Sequence, residues 1–183
     1  MASLAGSLGA ALAAMVANLS TAKGGFEDRY DELAGIAEKA QSVKDALVRG
    51  VDADTQAFDR VIEAMRMPKD TEQEREERAR AMLEGYKEAT RVPLGTVEQC
   101  RDALELCAGM AAMADPEMVS DVGSGALMAQ AGAHAAGYNV LINLRHIDDE
   151  AFGAEMRSRV KELLEECDRL TAAVRADVER VLE

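Results

Sequence analysis

At 183 residues, with no proline- and glycine-rich linker, the chain (residues 1–183) has the size of one domain with its own core. Apolar residues make up 48% but aromatics only 3%, with no tryptophan and three prolines, so the core has to be built from Ala, Leu, Val and Met, which suits closely packed helices rather than a sheet. A net charge of −13 without any basic stripe argues against a nucleic-acid partner and against binding to an anionic membrane.

The first predicted element is a helix from Ala2 to about Ala22. Ala5, Gly6, Gly9, Ala10, Ala13, Ala14 and Ala17 alternate with Leu4, Leu8, Leu12, Met15, Val16 and Leu19. Such a helix is apolar on nearly every side and belongs in the centre of a bundle or at a subunit contact. The run from Leu4 to Leu19 is shorter than the roughly 20 residues of a membrane span, contains Asn18 and has no positive charge before it. It therefore reads as part of a soluble, cytoplasmic chain.

The chain is expected to break at Gly24 and Gly25. Tyr30, Leu33, Ala37, Ala40, Val43 and Leu47 then mark an amphipathic second helix, with Gly50 as its stop. A third helix from Asp52 aligns Asp54 with Phe58, Val61 and Met65 on one face. Met67 to Asp70 interrupt the pattern, and Thr71 with Glu74 forms a capping box that starts a fourth helix. Its charged first half, E-Q-E-R-E-E-R-A-R, reads as a solvated face, and Met82, Leu83, Tyr86 and Ala89 as the residues that need burial. Pro93 starts a new helix or kinks the old one, and Val97, Cys100, Leu104, Cys107 and Met110 carry the stripe on.

After a loop, A-D-P-E-M-V, the segment Ser120 to Leu144 reads as one long helix, with Ser120 and Asp121 as acceptors at its start. Gly123, Gly125, Gly132 and Gly137 cost about 1 kcal/mol each against alanine there, which calls for a close neighbour as compensation. Asn139 and Asn143 share a face at i, i+4. A polar break from His146 to Glu150, with Asp148 as cap, leads into a last helix marked by Phe152, Met156, Val160, Leu163, Cys167, Leu170 and Val174. The expected fold is an all-α antiparallel up-and-down bundle of about five to seven helices that forms a dimer.

Neither His134 nor His146 belongs to the paired E-x-x-H of a di-iron bundle, so no metal is expected. The loops of nucleotide binding and serine hydrolysis are missing too. Cys100, Cys107 and Cys167 have no metal spacing and read as buried thiols in a reducing compartment. Chemistry is left to carboxylates, amides and lysine. Asp54 and Asp121 each sit beside apolar positions, the setting in which desolvation raises a carboxyl's pKa and suits it to proton transfer.

The strings L-A-G-S-L-G-A-A-L-A-A-M-V-A-N-L, V-D-A-D-T-Q-A-F, M-P-K-D-T, V-P-L and S-D-V-G-S-G-A-L with N-V-L-I-N-L, in this order, resemble the formiminotransferase-cyclodeaminase family, in its cyclodeaminase and methenyltetrahydrofolate cyclohydrolase members. The resemblance covers essentially the whole chain. It implies an all-helical dimer acting on a tetrahydrofolate derivative as substrate, within one-carbon metabolism and histidine degradation. On the matching positions it implies Asp54 and Asp121 as catalytic groups, Asn139 and Asn143 as contacts to the pterin, and Lys69 as a contact to the folate glutamate. Similar proteins carry a short helix and a P-G-G-G-S loop ahead of the segment that starts here at Leu4. This chain begins at Met1 and is expected to lack those backbone donors. An asparagine-bearing loop before S-D is likewise replaced by D-P-E-M-V. The alternative expectation is a catalytically impaired helical homodimer, or a partner subunit of a formiminotransferase.

Overall fold

The apolar periodicity resolves into five α-helices in the computed structural model, which describes residues 1–23 and 25–183. They are α1 (Ala2–Lys23), α2 (Tyr30–Arg66), α3 (Glu72–Ala111), α4 (Val119–Asn143) and α5 (Glu150–Leu182), with short 3₁₀ turns at Glu27–Arg29, Pro116–Met118 and Leu144–His146. No strand is present among the described residues. Gly24 lies outside them, while Gly25 takes a left-handed φ of 84°. Ser3 lies against Gly50, Val61 against Gly85, Cys100 against Gly132 and Leu164 against Gly137. In each neighbouring pair one helix rises as the next descends, which makes the bundle up-and-down.

Three predicted boundaries change. Gly50 does not end a helix: α2 runs through it, because α1 and α3 cross closely there. A Cβ on Gly50 would stand 3.3 Å from the Ser3 hydroxyl and 3.9 Å from that of Thr96, two hydroxyls that share a hydrogen bond of their own at 3.3 Å. Pro93 neither starts a helix nor ends one, since α3 continues across it. The last helix is capped by Asp149, one residue beyond the expected Asp148, whose carboxylate accepts the Phe152 N–H at 3.0 Å. At the start of α4 no side chain caps the helix, and Asp121 lies within its first turn. Asp115 instead caps the preceding 3₁₀ turn and pairs with Lys23 at 2.7 Å. The hydrogen bond from Lys23, with the Glu117 N–H, holds the Asp115 carboxyl below its ordinary range. The Thr71–Glu74 capping box forms as expected.

Small residues decide how closely the centre packs. A Cβ on Gly9 would stand 2.6 Å from the Gly125 carbonyl oxygen, and one on Gly132 would stand 2.8 Å from the Gly6 nitrogen. α1 and α4 therefore touch backbone to backbone. Cys100 fills the space beside Gly6 and Gly132, and Cys107, seven residues on, fills the space beside Gly125. Burial pushes the thiols of Cys100, Cys107 and Cys167 up to about 12, which keeps them protonated and makes them packing groups. Gly123 and Gly137 face α5 instead, against Val178 and Leu164. α1 is long and apolar enough to cross a membrane by length and composition, but more than half of that stretch is buried inside the bundle.

α2 and α3 outrun the other helices. Past the five-helix body they continue as a hairpin with its own small core of Ala57, Val61, Tyr86 and Ala89. The place where this hairpin leaves the body positions the site.

Candidate functional site

Pro93 has no N–H, so within α3 the carbonyl four residues back, that of Ala89, loses its helical partner. A buried carbonyl without a partner is costly. The side-chain amide of Asn143, reaching across from the last turn of α4, donates to that carbonyl. The proline thus creates the vacancy that fixes an α4 side chain at the base of the hairpin.

This latch defines one wall of a cleft of about 320 Å³. α2 contributes Asp54 and, one turn later, Phe58. α3 contributes Tyr86 and Ala89, α4 contributes Asn139, Ile142 and Asn143, and the following 3₁₀ turn contributes His146. A recess of about 120 Å³ shares Asp54 and Asn139 and extends to Met1 and Ser3 at the start of α1. The Tyr86 and His146 rings stack at 4.6 Å between centroids and 16° between planes. Phe58, half exposed, stands on α2 and stacks on no other aromatic ring among the described residues. The cleft therefore offers flat apolar surfaces and a few polar groups, the usual make-up of a small-molecule site.

Asp54 is the sole carboxylate among the lining residues, and it takes no hydrogen bond or ion pair among the described residues. Asn139 donates to the Ala135 carbonyl at 3.3 Å, and Asn143 to that of Ala89. Neither amide oxygen accepts a hydrogen bond among the described residues. Three predicted site residues, Asp54, Asn139 and Asn143, are thus brought together from two helices that are distant in sequence.

The other two are not. Asp121 lies 18 residues before Asn139 on the same helix, about 27 Å along it at 1.5 Å per residue. Lys69 is exposed in the turn at the hairpin tip, beyond the end of α2 at Arg66, which itself is about 18 Å along the helix from Asp54. The four α4 glycines do not line the cleft. His146 is the lining residue that sequence reasoning passed over. It completes a 139, 143, 146 row at i, i+4, i+7, a signal that was present in the sequence.

The latch gives a first prediction. Asn143→Ala is expected to lower unfolding stability by about 1–3 kcal/mol, the cost of stranding a buried acceptor. In a Pro93→Ala background, where position 93 regains an N–H for the Ala89 carbonyl, that cost should largely vanish. Urea unfolding of the four proteins of this cycle measures the difference. Equal costs in the two backgrounds would show that the Ala89 carbonyl does not depend on Asn143.

Residues 1–162 match the family model described as formiminotransferase-cyclodeaminase. The chain is 34% identical over 173 residues to a methenyltetrahydrofolate cyclohydrolase of Methylorubrum extorquens, covering 94% of this chain and 83% of that protein. It is 37% identical over 180 residues to the formimidoyltransferase-cyclodeaminase of Gallus gallus, covering 98% of this chain but 33% of that longer protein. The crystal structure of formiminotetrahydrofolate cyclodeaminase from Thermotoga maritima superposes with a TM-score of 0.87 at 27% identity, covering all of this chain and 87% of that one. The chain belongs to the formiminotransferase-cyclodeaminase family.

Proposed function

We propose that the protein is a folate one-carbon enzyme acting on the bridge between N5 and N10 of tetrahydrofolate. It would work either as a 5-formiminotetrahydrofolate cyclodeaminase or as a 5,10-methenyltetrahydrofolate cyclohydrolase. The observation that carries this reading is the cleft itself: one unpaired carboxylate and two half-free amides set between Phe58 and the Tyr86–His146 stack. A flat ring fits between such walls, and the amide oxygens accept from its N–H groups.

The chemistry asks for proton transfer at one carbon. In cyclodeamination N10 attacks the formimino carbon and a base takes the N10 proton. The carbon–nitrogen bond to the imino group then breaks as that nitrogen leaves as ammonia, having gained the relayed proton and one more from an acid. The product is the methenyl cation. In hydrolysis a water oxygen attacks the methenyl carbon, the bond from carbon to N5 breaks, N5 keeps one proton of the water, and the other is released. A carboxylate serves as base in both reactions and faces the cation in both. Asp54 is assigned this role.

Lys69 stands too far from Asp54 to touch the ring in the cleft, so its assigned contact is the glutamate carboxylate of a folate extended along the hairpin. An exposed ion pair is worth up to about 1 kcal/mol, so Lys69→Ala should raise KM by up to about fivefold and leave kcat unchanged. A fall in kcat would move Lys69 out of this role. A homodimer working in the cytoplasm, alone or beside a formiminotransferase, completes the reading.

The test is to offer 5-formiminotetrahydrofolate and 5,10-methenyltetrahydrofolate separately to the purified protein and follow methenyl absorbance. Its appearance from the first substrate identifies a cyclodeaminase, and its loss from the second, beyond the uncatalysed rate, a cyclohydrolase. Activity on neither substrate overturns the proposal and leaves a non-catalytic helical dimer or a partner subunit of a formiminotransferase.

A further inference from the structure

The seam between α2 and α3 has two sides, and the cleft opens on one of them. On the other, α2 and α3 alone line a groove of about 480 Å³, larger than the cleft and sharing no residue with it. Thr96 is the one residue that lines both this groove and the recess beside Asp54, so the two sites stand back to back across the seam. The floor of the groove is made of small side chains, Ala46 and Ala53 of α2 beside Val92 of α3, with Gly50 and Gly95 between them. A Cβ on Gly95 would meet nothing within 4 Å. Packing therefore does not call for that glycine, which costs stability inside a helix relative to alanine, and its effect is to leave the groove open.

The rim carries hydrogen-bond donors. Arg49 on one wall and Gln99 on the other make no hydrogen bond or ion pair among the described residues. Arg91 lies over the Phe152 ring at 5.2 Å and stands 3.6 Å from Glu88, the one carboxylate of the lining. Gly50 is level with Thr96, whose hydroxyl would stand 3.9 Å from a Cβ there. That level sets Arg49 about 9 Å from Arg91 along the groove, at 1.5 Å per residue, so both guanidiniums can reach one small ligand. Arg49 and Arg91 against Glu88 leave one positive charge in excess, in a chain of net charge −13. Farther along the same furrow the balance reverses in both directions. Glu63 and Glu84 outweigh Arg60 toward the hairpin tip, and Asp102 and Glu105 outweigh Lys39 toward the opposite end. An extended polyanion would run into these carboxylates, whereas a compact anion meets only the cationic middle.

We propose that this groove is a second binding site, for a small organic molecule with a single carboxylate. Arg49 takes the carboxylate, with Arg91 and Gln99 beside it, and the apolar body of the ligand lies on the floor around Gly95. One surplus positive charge above an apolar floor matches one negative charge on an apolar body. The site stands apart from the cleft and does not rest on the folate reading.

Calorimetric titration of the whole protein with benzoate tests the proposal, with acetate, inorganic phosphate and chloride at equal ionic strength as comparisons. Benzoate should bind with a Kd on the order of 1 mM, and at least about tenfold more tightly than acetate, which lacks the apolar body. Phosphate and chloride should give no saturable heat. Arg49→Gln removes a side chain that pairs with nothing else and should weaken benzoate about fivefold. Gly95→Leu fills the groove from its floor, so binding should vanish while the urea midpoint stays at or above that of wild type. Phe58→Leu alters the cleft and should leave benzoate binding unchanged. Should Gly95→Leu fail to fold, Arg49→Gln decides alone. Benzoate binding no tighter than acetate or phosphate overturns the proposal. So does benzoate affinity unchanged in Arg49→Gln or in folded Gly95→Leu, or its loss in Phe58→Leu, which would put the ligand in the cleft.

Discussion

Gly9→Ala is expected to destabilise the protein by about 3 kcal/mol or more, at the upper end of what overpacking a core costs. The added methyl would stand 2.6 Å from the Gly125 carbonyl oxygen and 2.9 Å from the Ala129 Cβ. Both belong to the rigid backbone of α4 or to an atom fixed on it, so no rotamer change can relieve the contact. The helices must separate, and with them goes the packing of Cys107 against the same crossing. Gly35→Ala supplies the opposite sign. That glycine lies inside α2 with nothing within 4 Å of the added methyl, and alanine should stabilise there by about 0.5–1 kcal/mol through helix propensity alone. Urea midpoints of the two variants against wild type decide the matter. If Gly9→Ala unfolds at the wild-type midpoint, the backbone contact between α1 and α4 is not what holds the centre together.

The same crossing shows what could be read in the sequence and what could not. The four glycines of α4 announced a close neighbour, and small residues on α1 made it the natural candidate. Sequence spacing did not reveal that only Gly125 and Gly132 face α1 while Gly123 and Gly137 serve α5, because a helix with little polar contrast gives no sense of which side meets which neighbour. Gly50 misled for a related reason. Its cost of about 1 kcal/mol argues for a helix end when only local propensity is weighed, yet a tertiary crossing against Ser3 overrides it. Pro93 was legible as a break in hydrogen bonding. Its compensation by a side chain 50 positions later, Asn143, lies in tertiary structure that no local pattern contains. The capping box at Thr71 could be read to the residue because its chemistry is wholly local. For the cleft, residue types were visible and proximity was not. Asp54 and Asn139 line one cleft only because the fold brings those stretches of α2 and α4 to the base of the hairpin, whereas Asp121 is held about 27 Å along α4 from Asn139.

Asp54→Asn is expected to reduce kcat by about 10²–10⁴, the usual worth of a positioned acid or base, with folding left intact. Structural consequences should be small because Asp54 is exposed, lies within α2, and holds no partner that its loss would strand. The unfolding free energy should stay within about 0.5 kcal/mol of wild type. The way the kinetic loss divides then tells what the carboxylate does. Asparagine keeps the shape and an acceptor oxygen but cannot take a proton, so an anchor for the ring would lose affinity and show a raised KM with kcat preserved. A base would lose kcat and kcat/KM together. Phe58→Leu is the companion measurement. That ring only walls the cleft, so its removal should raise KM while kcat changes little. Asp54→Asn with full kcat would assign Asp54 to binding and leave proton transfer to another group at the cleft, where the rings of His146 and Tyr86 stack.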